Sequence, residues 1–297
     1  MINKKVEPPY PYTVITPKQR DNDFEKLKNI ECDKITPLSR VGNKVSNYYF
    51  EPYRIKTKCG KWSYWSAWED EYKRKKIIQL SMKLFRTRPK VMGTPVAYRQ
   101  SIKMVVGTIN QFKPQVAVCQ VYKRFKPKRI LDTSAGWGDR LIGAMSQDID
   151  YIGIDQNEQL TTPYNKMITD FQNKSKSKVM MIFKKSQEVD YSKLPTYDLI
   201  FTSPPYFDLE DYEGMEKFEC KDKFLQTYFI PTIKKSYEYL EMGGHLALNM
   251  PEEMYIALQP ILGECDSKIE IPIHNRYAWK GLPNRVHYIY VWNKRGL

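Results

Sequence analysis

The sequence predicts an α/β protein: a mainly parallel sheet flanked by helices, preceded by a basic, partly helical N-terminal region. Three observations lead there. From Arg129 onward, short apolar runs alternate with helix-length amphipathic segments, the pattern of a sheet assembled from strand–helix units. A turn containing Gly136 and Gly138 joins the first apolar run to a helix. Charge is also unevenly spread. Residues 1–90 carry 21 basic and 10 acidic residues, net +11; residues 91–130 carry 8 basic and none acidic, net +8; residues 131–297 carry 19 basic and 24 acidic, net −5.

In chain order, Pro8, Pro9, Pro11, Pro17 and Pro37 make the beginning an extended arm. Residues 48–58 interleave aromatic and basic side chains and suggest a short strand or loop. Ser66-Ala67-Trp68-Glu69 matches a capping box, in which Ser66 and Glu69 satisfy each other's backbone donors. A basic helix follows to about Phe85, ending before Pro89. Helices at 96–112 and 115–125 are separated by Pro114. The composition suggests a basic, aromatic-rich region over 1–90 and a main domain over 91–297. Strands are expected at 129–132, 151–155, 179–183, 197–201 and 245–249, with helices from about Asp139 and over about 222–240. Residues 269–273 and 285–293 form a closing strand pair.

Hydrophobic residues are 41% of the chain, enough for a packed core. No apolar run approaches the roughly 18 residues of a membrane span, and the first residues do not resemble a signal peptide. A soluble intracellular protein without a membrane partner is expected. The five cysteines are scattered and form no C-x-x-C pair, so neither a disulfide nor a cysteine zinc site is expected. The three histidines are dispersed and suggest no metal cluster. The net charge of +14 suits a polyanionic partner. Nothing in the sequence specifies an oligomeric state.

Asp132-Thr133-Ser134-Ala135-Gly136-Trp137-Gly138-Asp139 lies between a strand and a helix. Its glycines permit a tight turn and close ligand approach, and the helix behind offers free N–H groups. The third glycine of a dinucleotide fingerprint would fall at Leu141, so that fingerprint is not matched. Asp155 ends the next strand, where an acid can accept from both ribose hydroxyls. These residues resemble the first motif of Rossmann-like class I methyltransferases. The resemblance implies a mainly parallel sheet with an antiparallel last strand and S-adenosylmethionine as cofactor. It places Asp132, Ser134, Gly136 and Gly138 around the methionine part and Asp155 at the ribose, with Ser186, Gln187 and Glu188 where the family contacts adenine.

Thr202-Ser203-Pro204-Pro205-Tyr206 follows the fourth strand. An exocyclic amine on cytosine or adenine is a poor nucleophile because its lone pair is delocalised into the ring. Acceptors such as the Ser203 hydroxyl and the Pro204 carbonyl can favour a more pyramidal nitrogen and aim that lone pair. The Pro204-Pro205 pair stiffens the loop, and Tyr206 offers a face on which an extruded base can stack. This segment is similar to the fourth motif of DNA amino-methyltransferases. Its wording is most like that of enzymes making N4-methylcytosine; N6-adenine enzymes share similar wording, and both targets stay open. C5 methylation needs a cysteine nucleophile, which in that family follows proline, and no cysteine here does.

The resemblance covers about residues 128–292. Only about 65 residues separate the two motifs, leaving no room there for a recognition domain. Candidate nucleic-acid contacts are therefore Arg54, Lys56, Lys58 and Lys61, which stand among Tyr53, Trp62, Tyr64 and Trp65, and the loop residues Arg276, Trp279, Lys280 and Arg285. The partner implied is DNA. RNA stays open, as does an inactive nucleic-acid-binding subunit that keeps the fold.

Overall fold

The computed structural model describes residues 9–109, 111–207, 216–271 and 287–296. Chain contacts divide these residues into two units: 9–15 with 51–109, and 16–50 with 111–207, 216–271 and 287–296. This division differs from the boundary drawn at residue 90. It groups 16–50 with the sheet and 91–109 with the smaller unit.

In the smaller unit, β1 (Lys58–Cys59) pairs antiparallel with β2 (Trp62–Ser63). Helices follow at Tyr64–Glu69, Glu71–Leu84 and Pro95–Val106. Its core joins Tyr10, Ile55, Tyr64, Ala67, Trp68, Ile77, Ile102 and Ile109, with Trp62 and Trp65 packed against it. The expected capping box is shifted by three residues. Ser63 is the cap, its hydroxyl accepting from the Ser66 N–H at 3.0 Å, and Ser66 answers on the Ser63 N–H. Ser63 is itself a hydroxyl residue, so the helix starts one turn earlier than Ser66 suggests. Asp70 caps the next helix by accepting from the Lys73 N–H at 2.8 Å.

Residues 43–54 form a helix, which corrects the strand or loop expected over 48–58 as far as Arg54; a turn then leads into β1 at Lys58. The decisive pattern is Val45, Ser46, Tyr49 and Phe50, all buried on one helical face. Pro52 sits in the last turn, where its missing N–H leaves most of the helix ladder intact.

The larger unit is built on seven strands: β3 (Arg129–Asp132), β4 (Asp150–Asp155), β5 (Val179–Phe183), β6 (Tyr197–Thr202), β7 (Leu240–Asn249), β8 (Ser267–Ile271) and β9 (His287–Asn293), in the order β5-β4-β3-β6-β7-β9-β8. The first five pair in parallel, and β9 runs antiparallel to β7 and β8. This is the mainly parallel α/β sheet with antiparallel closing strand expected from the sequence. Successive residues of β3, β6 and the end of β7 are buried, as in strands covered on both faces. The chain leaves β3 toward β4 and β5, then returns to β3's other side as β6. That reversal makes the carboxyl ends of β3 and β6 a topological switch point, the place where open α/β sheets bind ligands.

Residues 16–50 are tied to this sheet unit by specific bonds. Arg20 reaches Asp170 at 2.6 Å and the Tyr49 hydroxyl at 2.7 Å, and Tyr49 donates to Asp170 at 2.6 Å. Cys32 and Cys119 form a disulfide with a Cα–Cα distance of 5.4 Å, correcting the expectation that no cysteines pair. The partners are 87 residues apart, so their spacing carried no sign of the bond. Among the described residues no helix is long and apolar enough to cross a membrane, and no group of three potential metal ligands is assembled.

Candidate active site

The turn after β3 is held from below by an ion pair. Asp132 is fully buried and Arg140 nearly so. Arg140 donates to both Asp132 oxygens, at 2.6 and 3.2 Å, and also to the Ser134 carbonyl. Tyr151 adds a 2.5 Å bond to Asp132, and the Ser134 N–H another at 3.2 Å. Two charges out of water are tolerated because each finds its partner and further hydrogen bonds. The structure thus places Asp132 beneath the turn as its anchor.

Gly136 and Gly138 have φ of 62° and 70°. At Gly138 a Cβ would also lie 2.6 Å from the Phe50 ring and 2.8 Å from the Met167 methyl. Gly136 meets nothing closer than 3.7 Å, so its requirement is the left-handed backbone. The Tyr164 hydroxyl accepts from the Gly138 N–H at 3.2 Å and donates to the Gly136 carbonyl at 2.9 Å. Behind the turn, Asp139 heads the helix Asp139–Ser146, its carboxylate accepting from Ser46 at 2.5 Å and Gln111 at 2.9 Å.

Asp155 faces this turn. One carboxylate oxygen accepts from the Gly136 N–H at 2.7 Å and the other from the Asn157 N–H at 2.9 Å. Each oxygen keeps a further lone pair for a ligand hydroxyl. Burial pushes its carboxyl up to about 6, while the Asn157 and Gly136 amides act in the opposite direction. Ser134 shares a 3.0 Å hydrogen bond with Tyr228, whose phenol burial raises well above its usual value.

The segment after β5 is drawn to the β3 turn by a hydrogen bond from the Ser186 hydroxyl to the Thr133 carbonyl. Glu188 is exposed, with Lys185 at 3.9 Å. Gln187 is the more suggestive residue: its amide nitrogen donates to Glu216 at 3.1 Å, while its buried amide oxygen has no hydrogen-bond partner among the described residues. An orphaned buried acceptor near the β3 turn fits a ligand N–H.

β6 pairs directly with β3, so Thr202-Ser203-Pro204-Pro205-Tyr206 leaves the strand beside the glycine turn. Pro204 is buried; Ser203, Pro205 and Tyr206 are half-buried, and Tyr206 packs on the central core. Ser203 donates to Asn249 at 3.2 Å.

Ser134, Gly136, Gly138, Asp155 and Ser203 therefore gather around neighbouring strand ends. Arg54 is half-buried in the smaller unit, and Lys56, Lys58 and Lys61 are exposed there. Tyr64 of the accompanying aromatics is a core residue, and Trp62 and Trp65 pack on the same core. Arg276, Trp279, Lys280 and Arg285 lie outside the described residues. Arg140, Tyr164, Tyr228 and Asn249 were not singled out from the sequence. Asn249 carried one signal: a polar residue closing the apolar run Leu246-Ala247-Leu248.

No protein-family model matches the chain, and no curated protein matches it. Solved structures do. A SAM-dependent methyltransferase from Agrobacterium tumefaciens is 15% identical, with a TM-score of 0.43, over 64% of this chain and 65% of that one. TrmN from Thermus thermophilus is 15% identical, with a TM-score of 0.41, over 62% of this chain. The match spans about half, 49%, of the Thermus protein. SMU.1697c from Streptococcus mutans, described as a putative methyltransferase in complex with SAH, is 14% identical, with a TM-score of 0.40, over 63% of this chain and 99% of that one.

Proposed function

We propose that the protein is an S-adenosylmethionine-dependent methyltransferase acting on an exocyclic amino group of a nucleic-acid base, with DNA the substrate that the motif resemblance implies. The observation that carries this is the Ser203 loop leaving β6 next to the glycine turn of β3, with Asp155 opposite that turn. When bound, S-adenosylmethionine would supply a methyl group on a cationic sulfur, which would become a neutral thioether as the amine nitrogen gains the methyl and passes one proton to solvent water. The Gly136 and Gly138 backbone accommodates the methionine part, Asp155 accepts from the ribose and the orphaned Gln187 oxygen accepts from the adenine amine. Ser203 and the Pro204 carbonyl accept from the target amine, and Tyr206 stacks on the base. A labelled-methyl transfer assay on DNA and on RNA, followed by nucleoside mass spectrometry, tests the proposal. N4-methylcytosine or N6-methyladenine in DNA supports it, the same products in RNA move the substrate, and no product from either removes it.

Asp155→Ala is expected to weaken S-adenosylmethionine binding by about 1.5 to 3 kcal/mol, through loss of hydrogen bonds to a charged acceptor. Because burial raises this carboxyl to about 6, wild-type affinity should be level above neutral pH and fall as pH drops through about 6. Calorimetry across that range checks both. Unchanged affinity in a folded variant takes Asp155 out of the site.

Phosphate binding is assigned to the smaller unit. From Tyr72 to Leu131 there are 16 Lys and Arg and no Asp or Glu, and much of that run belongs to this unit. Replacing Arg54, Lys56, Lys58 and Lys61 with alanine should weaken nucleic-acid binding irrespective of sequence. The slope of log affinity against log salt should flatten by about 0.7 to 0.9 for each phosphate no longer neutralised, with cofactor affinity unchanged. A wild-type slope in the folded variant would place phosphate binding on other residues.

A further inference from the structure

The end of β7 contains a buried polar residue that the amine chemistry above does not yet use. Thr202 of β6 pairs with Leu248 of β7, so Ser203 and Asn249 are each the next residue along neighbouring parallel strands. Asn249 is 5% exposed. Its amide nitrogen donates to the Tyr288 carbonyl at 3.2 Å, and its amide oxygen receives the Ser203 hydroxyl at 3.2 Å. A backbone carbonyl only accepts, so Tyr288 fixes which end of the amide faces β9. The oxygen that remains toward Ser203 also only accepts. The single Ser203 proton is thereby committed inward, and only lone pairs of Oγ are left to face a substrate.

We propose that Asn249 is a positioning residue that makes Ser203 an obligate acceptor, so that the site selects a target nitrogen carrying N–H. This rests on the proposed function and deepens it. An exocyclic amine satisfies the Ser203 lone pairs. A deprotonated ring nitrogen or a carbonyl would set lone pair against lone pair in a partly desolvated site, and sites built around one hydrogen-bond polarity reject the opposite one strongly. The β7–β9 pairing contributes to specificity by holding Tyr288 where it orients the amide.

The test is a double-mutant cycle in single-turnover methyl transfer. Asn249→Leu should slow transfer by about tenfold, within the range of coupled hydrogen-bonded pairs, and by less than about twofold when Ser203→Ala is already present. Cofactor affinity should be the same in all of these variants. Equal losses in both backgrounds overturn the proposal. If the wild-type protein methylates no nucleic acid, the functional assignment fails, and the hydrogen-bond chain is then judged separately by NMR. The Asn249 side-chain amide protons should exchange slowly and shift in Ser203→Ala; rapidly exchanging, unshifted resonances reject the chain.

Discussion

Arg140→Met is expected to lower the unfolding free energy of the sheet unit by about 3 to 5 kcal/mol, the cost of leaving one member of a buried ion pair unmatched. Asp132 is wholly enclosed, and Arg140 supplies two of its bonds and braces the Ser134 carbonyl. Tyr151 and the Ser134 amide alone would then face a buried carboxylate. Removing both charges with Asp132→Asn and Arg140→Met together should cost less than Arg140→Met alone, because no unpaired ion remains. Urea unfolding followed by tryptophan fluorescence measures both. A single-variant loss below about 1 kcal/mol would show that the pair is not held in a dry environment.

Ser203→Ala is expected to reduce the methyl-transfer rate by about a hundredfold, the scale of removing one polar group aimed at a transition state. S-adenosylmethionine affinity should stay near wild type, since the cofactor contacts assigned above lie on the β3 turn, Asp155 and Gln187. Tyr206→Ala should act differently, weakening engagement of the base by about 1 to 3 kcal/mol through lost stacking. Part of that figure will reflect core packing, because Tyr206 also rests on the central cluster. Single-turnover rates with saturating cofactor and varied nucleic acid separate the two effects. Wild-type rates in both folded variants would remove the amino-methylation assignment.

The Cys32–Cys119 disulfide and the Arg20–Tyr49–Asp170 bonds show how the early part of the chain joins the sheet. Neither was legible in the residue order. Composition groups neighbours in sequence and drew one basic region over 1–90, whereas contacts assign 16–50 to the sheet unit. The helix at 43–54 was hidden for a related reason. Interleaved aromatic and basic residues suggested a strand or loop, and the helical period of Val45, Tyr49 and Phe50 becomes decisive only when packing partners are present.

Sequence by itself located the central strands β3, β4 and β6, because strands buried on both faces must be short, continuous apolar runs bounded by turn residues. It also located the turns on which the proposed site rests, since Gly136, Gly138 and the Pro204-Pro205 pair impose backbone constraints that other residues do not. Tertiary structure alone decided which partners each polar group of those turns finds. Asp132 looked like a ligand contact and is an anchor for Arg140; Gln187, beside the more conspicuous Glu188, holds the orphaned acceptor. The hydrogen bonds of Asn249 to Ser203 and Tyr288 exist only because β6, β7 and β9 are aligned. A hydrogen bond depends on distance and direction between groups far apart in the chain. Residue order specifies the groups, and only folding sets their geometry.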